Sequence, residues 1–108
     1  MLRAGDSPLP RFDFIAVYIL ANRKNGTLYT GSTADLIARM EQHKSGRGSA
    51  FTAKYDCDRL VWFERFEEMA PALNRERRIK TWPRQWKIDL IEKSNPDWGD
   101  LSFGLTPF

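Results

Sequence analysis

Two helical segments carry charged side chains where hydrophobic periodicity predicts a core-facing surface. In "LIARMEQH" (36–43), the apolar stripe consists of Leu36, Ile37 and Met40, at about 100° per residue. Arg39 and His43 lie one turn apart on a flank of that stripe, at the border between core and solvent. Such a pair is most often a solvated edge. It could also bind a phosphate through the guanidinium and move a proton through the imidazole.

The second segment, "ALNRERRIK" (72–80), places a carboxylate on its apolar face. Glu76 falls between Ala72 and Met69 on the helical wheel, within the stripe that should pack on the core. A carboxylate turned toward a core is costly unless a cation or hydrogen-bond donors compensate its charge. Two kinds of partner are open: an arginine, which would make a structural ion pair, or a bound metal ion.

Two tyrosines lie in segments with strand patterns. "FDFIAVYIL" (12–20) contains Tyr18 and is apolar on both alternating faces, which predicts a central strand buried on two sides. "TLYTG" (27–31) contains Tyr29 and follows Asn25-Gly26, a positive-φ pair typical of a tight hairpin. A buried tyrosine usually fills a core with its hydroxyl satisfied, so spacing alone assigns neither residue a chemical role.

The remaining elements predict one small α+β domain. Ser32 or Thr33 could cap the helix that contains Arg39, with Asp35 beside its N-terminal dipole. A cationic loop is expected at 44–58, a third strand at 59–66, and helices at 69–81 and 84–93. The order ββαβαα predicts a small antiparallel sheet with helices packed on it. We divide the chain into a flexible arm (1–11), a domain (12–98) and a tail (99–108).

Composition limits the class of protein. A chain of 108 residues holds one domain, and its net charge of +3 suits an anionic partner without proving one. The single cysteine, Cys57, rules out an internal disulfide and a thiolate metal cluster. The longest apolar run, "FIAVYIL", is too short to cross a bilayer. We expect a soluble cytoplasmic protein with no membrane partner, present as a monomer or weak dimer.

Taken together, these positions resemble the GIY-YIG nuclease superfamily, especially its small single-domain bacterial members. "AVY" (16–18) stands where the first tripeptide belongs and "YTG" (29–31) where the second does. Arg39, His43 and Glu76 follow in the order of the family pattern. The resemblance implies a three-stranded antiparallel sheet flanked by helices, and metal-dependent cleavage of a nucleic-acid phosphodiester.

The resemblance also implies roles for single residues. Glu76 would hold one Mg²⁺ or Mn²⁺, Arg39 would contact the scissile phosphate, and Tyr18 and Tyr29 would lie at the nucleophile. Tyr29 is the preferred general base, with His43 as relay or alternate because an imidazole titrates nearer neutral pH than a phenol. Two accessory candidates depart from the family pattern. Ser32 stands where the repair-endonuclease branch has a lysine, and Asn95 matches a late asparagine only approximately in spacing.

A single carboxylate is consistent with a one-metal mechanism, because Mg²⁺ accepts few protein carboxylates and two-metal sites need bridging acids. The cations Lys44, Arg47, Lys54 and Arg75 could follow a phosphate backbone or could be solvated surface charge. We therefore expect an endonuclease acting on DNA, structure-selective or weakly specific, of the kind used in DNA repair. The alternatives are an inactive nucleic-acid-binding module of the same fold, and a protein in which Glu76 and Arg39 simply pair.

Overall fold

The computed structural model describes residues 14–106, so the predicted arm (1–11) lies outside the described residues. Three antiparallel strands form a sheet with the order β2-β1-β3: β1 (Ala16–Ala21), β2 (Leu28–Thr33) and β3 (Arg59–Arg65). The α+β class and the three-stranded antiparallel sheet are confirmed. Every residue of the central strand is buried, as its two-sided apolar sequence predicts.

The hairpin between β1 and β2 uses Asn25 and Gly26 differently from the prediction. Asn25 has a φ of 59°, as expected for such a turn, but Gly26 is not in the left-handed region. Gly26 is required for space, because a Cβ there would lie 2.0 Å from Asn22 Oδ1. That oxygen accepts a hydrogen bond from the Thr27 N–H at 3.0 Å. The dipeptide thus marked the turn correctly, while the glycine serves close packing.

Each face of the sheet carries its own core because successive strand residues point to opposite sides. One core packs β1 and β3 against the long C-terminal helices, and it contains Val17, Ile19, Val61, Ile79, Ile91 and Trp98. The other packs β1 against the helix after β2, and it contains Ala16, Tyr18, Leu20, Leu36, Met40 and Leu60. The two tripeptides of the family pattern therefore lie between two layers of helices.

The helix after β2, α1 (Leu36–Lys44), begins at a cap other than those predicted. Asp35 is the N-cap residue, and its Oδ1 accepts a hydrogen bond from the Ala38 N–H at 3.2 Å. Ser32 and Thr33, proposed as caps, lie in β2 instead. The chain continues as strand through these residues because β2 pairs with β1 as far as Thr33.

A short helix, α2 (Ala50–Tyr55), occupies part of the predicted loop 44–58. Ser49 caps it and forms a capping box with Thr52, in which each side chain accepts from the other residue's backbone N–H. A helix of six residues is too short to show clear periodicity, so only the Ser49-to-Thr52 spacing signalled it. The observed order is ββααβαα.

The two predicted C-terminal helices are confirmed as α3 (Met69–Lys80) and α4 (Arg84–Ser94). Residues in the predicted tail pack against the sheet: Leu101–Gly104 form a 3-10 helix, and Leu101 and Leu105 contact the α1-side core. Asp100 anchors this segment by accepting a hydrogen bond from the Leu60 N–H at 3.3 Å. Within residues 14–106, no helix has the length and apolar character needed to cross a membrane.

Candidate active site

Gly31 makes room for the two tyrosines on the α1 side of the sheet. It pairs with Tyr18 across the β1–β2 ladder. A Cβ at Gly31 would lie 2.8 Å from the Tyr18 hydroxyl oxygen and 3.0 Å from Tyr29 Cε2. Only a residue without a side chain leaves both phenol rings in place, so the glycine of "YTG" has a specific steric role.

Tyr18 belongs to a buried chain of hydrogen bonds that joins β1, α1 and α2. Its hydroxyl lies 3.1 Å from His43 Nε2, and His43 Nδ1 lies 3.0 Å from Thr52 Oγ1. Both ring nitrogens of His43 are therefore occupied within the protein. Gly48 closes this arrangement from above the ring, because a Cβ there would lie 2.1 Å from His43 Nδ1.

Burial keeps this chain uncharged. It lowers the pKa of His43 to about 4, and the nearby Arg39 guanidinium acts in the same direction. Burial also raises the pKa of the Tyr18 phenol far above its ordinary value, with Tyr29 and Glu76 raising it further and Arg39 opposing them. At neutral pH the imidazole and the Tyr18 phenol are both neutral. The influence of Arg39 and Glu76 shows that they lie within electrostatic reach of Tyr18.

Tyr29 differs from Tyr18 because its hydroxyl forms no hydrogen bond to another of the described residues. Its ring contacts those of His43 and Phe51, with centroids 5.8 and 5.9 Å away. The side chain is half-buried, and within residues 14–106 the hydroxyl has no hydrogen-bond partner. Of the two phenols in the family pattern, Tyr29 is therefore the one available to a substrate.

Glu76 lies on the other side of the sheet, on α3, and its side chain is 15% exposed. Ser32 donates a short hydrogen bond to Oε1, and the Lys80 ammonium lies 2.6 Å from Oε2. Burial raises the pKa of Glu76, but the hydrogen bonds from Lys80 and Ser32 outweigh it, so the pKa lies below its ordinary value. The carboxylate is ionised at neutral pH.

The ion pair of Glu76 uses Lys80, four residues along the helix, rather than an arginine, which was one of the two kinds of partner that the sequence left open. Arg39 does not pair with Glu76 within the described part of the chain. Its Nη1 donates to Gln42 Oε1 at 3.1 Å instead. The interpretation in which Arg39 and Glu76 simply pair in the core is therefore contradicted, and both groups remain partly open.

Ser32 connects the two sides of the sheet. It bonds Glu76 and also lines an open cleft of about 390 Å³ at the end of β2, together with Arg39, Gln42 and Met69. Arg39 is half-buried at this cleft, with its guanidinium directed along α1. A guanidinium and an ionised carboxylate thus flank one strand end without neutralising each other, which is an arrangement suited to a phosphate and a cation.

The donor set fits a divalent ion that keeps most of its water. No group of three or more His, Cys, Asp or Glu residues could hold a metal in the region 14–106. A closed, all-protein metal site is therefore absent from the described residues. Mg²⁺ typically takes only one or two carboxylates and retains waters, so the single ionised carboxylate of Glu76 matches its requirement.

Several predicted residues lie elsewhere or have other partners. Lys44 bonds the Asp58 carbonyl and pairs with Asp100 at 2.6 Å, which ties α1 to the C-terminal segment. Arg75 pairs with Glu64 at 3.0 Å and lies over the Trp62 and Trp82 rings. Both cations thus have structural partners.

Asn95 lies outside the cleft. It is buried at the end of α4, where its amide bonds the carbonyls of Val61 and Gly99 and accepts from the Gly99 N–H. These contacts fasten the C-terminal segment to β3. Arg47 and Lys54, by contrast, are exposed on the segment around α2.

Two residues of the site are not predicted from the sequence: Thr52, whose hydroxyl holds His43, and Phe51, which packs on Tyr29. The Ser49-to-Thr52 capping spacing is the available signal, but it lies in the segment predicted to be a loop. Both residues matter because they determine how His43 and Tyr29 are held.

Comparison with known proteins identifies a family model and several related bacterial proteins. The model of the GIY-YIG catalytic domain matches residues 14–89. A UPF0213 protein of Staphylococcus aureus strain Mu3 is 42% identical over 77 residues, which are 71% of this chain and 93% of that protein. UPF0213 proteins of strains Mu50 and COL match to the same extent. The solution NMR structure of the UPF0213 protein BH0048 from Bacillus halodurans is 33% identical and covers 75% of this chain and 85% of that one, with a TM-score of 0.48. The chain therefore belongs to the GIY-YIG nuclease family and is related to the small bacterial UPF0213 proteins.

Proposed function

We propose that this protein is a divalent-metal-dependent endonuclease that hydrolyses phosphodiester bonds of nucleic acid, with DNA as the substrate to test first. One observation carries the proposal: Tyr29, Arg39 and Glu76 all lie around the Gly31-Ser32 step of β2. Tyr29 is next to Gly31, Arg39 lines the cleft that Ser32 also lines, and Glu76 accepts a hydrogen bond from Ser32. Within the described residues, none of the three is neutralised by another of the set. A stability role alone would not require this separation.

Arg39 is assigned to the phosphate. Its guanidinium is permanently charged and presents a planar fork of donors that matches two phosphate oxygens. Its present partner is the neutral Gln42 amide, which binds a guanidinium more weakly than the negatively charged phosphate of a phosphodiester does. The surrounding cleft is open at the end of β2, so a strand of nucleic acid can reach the guanidinium.

Glu76 is assigned to the metal. GIY-YIG nucleases generally use divalent metal ions, and Mg²⁺ or Mn²⁺ suits a lone carboxylate. When bound, such an ion supplies charge stabilisation to the phosphoryl group and the leaving oxygen. Ser32 orients the carboxylate through Oε1, while Lys80 neutralises Oε2 until a cation replaces it.

Tyr29 is assigned to activating the nucleophile as the general base, because its hydroxyl has no protein partner in the described region. The buried Tyr18–His43–Thr52 chain is assigned to positioning. His43 fixes Tyr18 through one nitrogen, and its ring supports Tyr29 from the side. With both nitrogens engaged and a pKa of about 4, His43 is a poor direct base for a water molecule.

The test is cleavage of single-stranded, duplex, flap and branched DNA with Mg²⁺ or Mn²⁺, with Glu76→Gln as the control. The variant keeps the shape of the side chain and removes its charge, so we expect a loss of at least about 100-fold in cleavage. Full activity of a folded Glu76→Gln protein would exclude the metal assignment. If the protein instead binds these DNAs without a metal ion and cleaves none of them, the result would support the alternative, an inactive nucleic-acid-binding module.

The proposal for substrate selectivity follows from the elements of the fold. Within residues 14–106, the helices and strands belong to the one α+β fold, and none forms a separate module that would read bases in a groove. We therefore propose selection by nucleic-acid structure rather than by sequence. The same assays should give similar rates for substrates of one shape and different sequence, and strong dependence on sequence would contradict this part of the proposal.

A further inference from the structure

We propose that Tyr29, Phe51 and Tyr55 form an aromatic platform on which unpaired bases of a single-stranded nucleic acid stack. The platform runs from the candidate active site along α2. This inference rests on the proposed function for its place beside the scissile bond, but base stacking itself can be measured without cleavage.

The three rings form a continuous series. Phe51 and Tyr55 lie one turn apart on α2, with ring centroids 4.8 Å apart and an angle of 46° between their planes. Phe51 and Tyr29 have centroids 5.9 Å apart, with an interplanar angle of 32°. Tyr29 in turn contacts His43, so the series begins at the residues assigned to catalysis.

The outer two rings are open to solvent although they are large and apolar. Phe51 is 41% exposed and Tyr55 is 40% exposed. The opposite side of α2 is already used, because the buried Thr52 caps the helix and holds His43. The neighbours Ala50 and Ala53 are small and exposed, so these two side chains do not cover the rings.

The chemistry around the platform suits a polyanion with flat apolar groups. Lys54 Nζ lies 5.4 Å from the centre of the Tyr55 ring, and Arg47 is exposed on the loop before α2. Residues 44–55 contain three cations and no acidic residue; Lys44 is paired with Asp100, which leaves Arg47 and Lys54 for a polyanion. A surface that binds another protein would be expected to offer aliphatic side chains as well. The two exposed large hydrophobic side chains of α2 are both aromatic.

Single strands fit this surface better than duplexes do. Every base has a π-face that can stack on an aromatic ring, and the phosphates between bases can meet neighbouring cations. In a duplex the base faces are covered by their own neighbours, so the rings would contribute little. The platform therefore predicts that the nucleotides next to the scissile phosphate are unpaired, as in a flap or a single strand.

The experiment measures binding of one fluorescent 20-nucleotide DNA, as a single strand and as a duplex, in EDTA so that no cleavage occurs. The variants are Phe51→Ala and Tyr55→Ala, with Phe51→Leu as an apolar side chain that lacks a ring. Trp86→Ala is the matched control, because Trp86 is an exposed aromatic residue (56%) on α4 rather than on α2. Thermal melting of each variant checks that it is folded.

We expect Phe51→Ala to weaken single-strand binding by about 5- to 150-fold. Phe51→Leu should weaken it nearly as much, and duplex binding should change little. Trp86→Ala should bind like the wild type. Tyr55→Ala should show a loss of the same kind, and it provides the test if Phe51→Ala does not fold.

Three results would overturn the platform: unchanged single-strand binding in the folded Phe51 and Tyr55 variants, full binding by Phe51→Leu, or equal losses on single strand and duplex. Cleavage in Mg²⁺ separates this failure from failure of the proposed function. A wild type that cuts DNA while its α2 variants bind normally would remove the platform and keep the nuclease. A wild type that binds single strands through Phe51 but cuts no DNA would keep the platform and remove the nuclease.

Discussion

The two faces of the sheet handle polar groups in opposite ways. On the α1 side, Tyr18, His43 and Thr52 form a buried chain in which every group is neutral. On the α3 side, Glu76 is ionised and partly open, with Ser32 and Lys80 as its partners. One face fixes the positions of rings and protons, whereas the other keeps an ionised carboxylate at a partly open position.

Two consecutive residues of β2 produce this difference. Gly31 pairs with Tyr18 and belongs to the α1 side, and Ser32 is turned to the α3 side, where it bonds Glu76. A phenol on one face and an ionised carboxylate on the other are therefore both in contact with this strand. The open cleft at its end, lined by Ser32 and Arg39, is where the two faces meet.

The largest expected contrast is between the two tyrosines. Tyr29→Phe should reduce cleavage by about 100- to 10,000-fold, the range for loss of a proton-transfer group, while stability changes by less than about 0.5 kcal/mol. Tyr18→Phe should lower the free energy of unfolding by about 1 kcal/mol, because His43 Nε2 loses its buried partner. Cleavage assays and urea unfolding of both variants measure this. A Tyr29→Phe enzyme with full activity would refute the assignment.

The second-largest expected effect is a difference between the two faces of the sheet in the pH range over which each contributes to stability. His43 titrates at about 4 in the folded protein and near 6.5 when unfolded, so the unfolded chain binds more protons between these values. Its stabilising contribution is complete above pH 6.5. It should fall by roughly 2–3 kcal/mol as the pH drops toward 4. The lowered pKa of Glu76 means that its contribution is lost only at more acidic pH.

Urea unfolding at intervals from pH 8 to 4.5 tests this directly, since His43 is the only histidine in the chain. His43→Gln should flatten the profile in that window. An identical fall in wild type and variant would mean that another group causes it.

A smaller effect is expected from closing the space at Gly31. In Gly31→Ala the new methyl group would meet the Tyr18 hydroxyl, which His43 holds in place, so we expect a loss of about 1–3 kcal/mol in unfolding free energy. Gly104→Ala is the matched control, because a Cβ there meets nothing within 4 Å. Equal stability of the two variants in urea would show that the Tyr18 ring can move freely.

The smallest expected effect concerns Lys80. Lys80→Met removes the ammonium beside Glu76 Oε2, so Mg²⁺ affinity should rise by about two- to fivefold, the scale of a partly exposed ion pair. Calorimetric titration with Mg²⁺ at fixed ionic strength measures it, with Lys93→Met on α4 as the control for a lost positive charge. Weaker metal binding in Lys80→Met alone would indicate that Lys80 supports the cation site.

The sequence by itself determined the elements with a strong local signal. The apolar run of β1, the third strand and the two long C-terminal helices depend on hydrophobic periods that no other structure would bury well. The placement of Arg39 and His43 one turn apart, and of Glu76 on the inner side of α3, follows from the same periods. These patterns were enough to predict which helix or strand carries each residue of the family site.

Only the tertiary structure decided which groups meet. The six-residue α2 is too short to form from local propensity and depends on its cap and on packing over His43. The pairing of Lys44 with Asp100 and the use of Asn95 to bridge Val61 and Gly99 join residues far apart in the chain. Protonation of His43 depends on burial, because solvation of a charge is set by all the surrounding residues and not by neighbours in sequence.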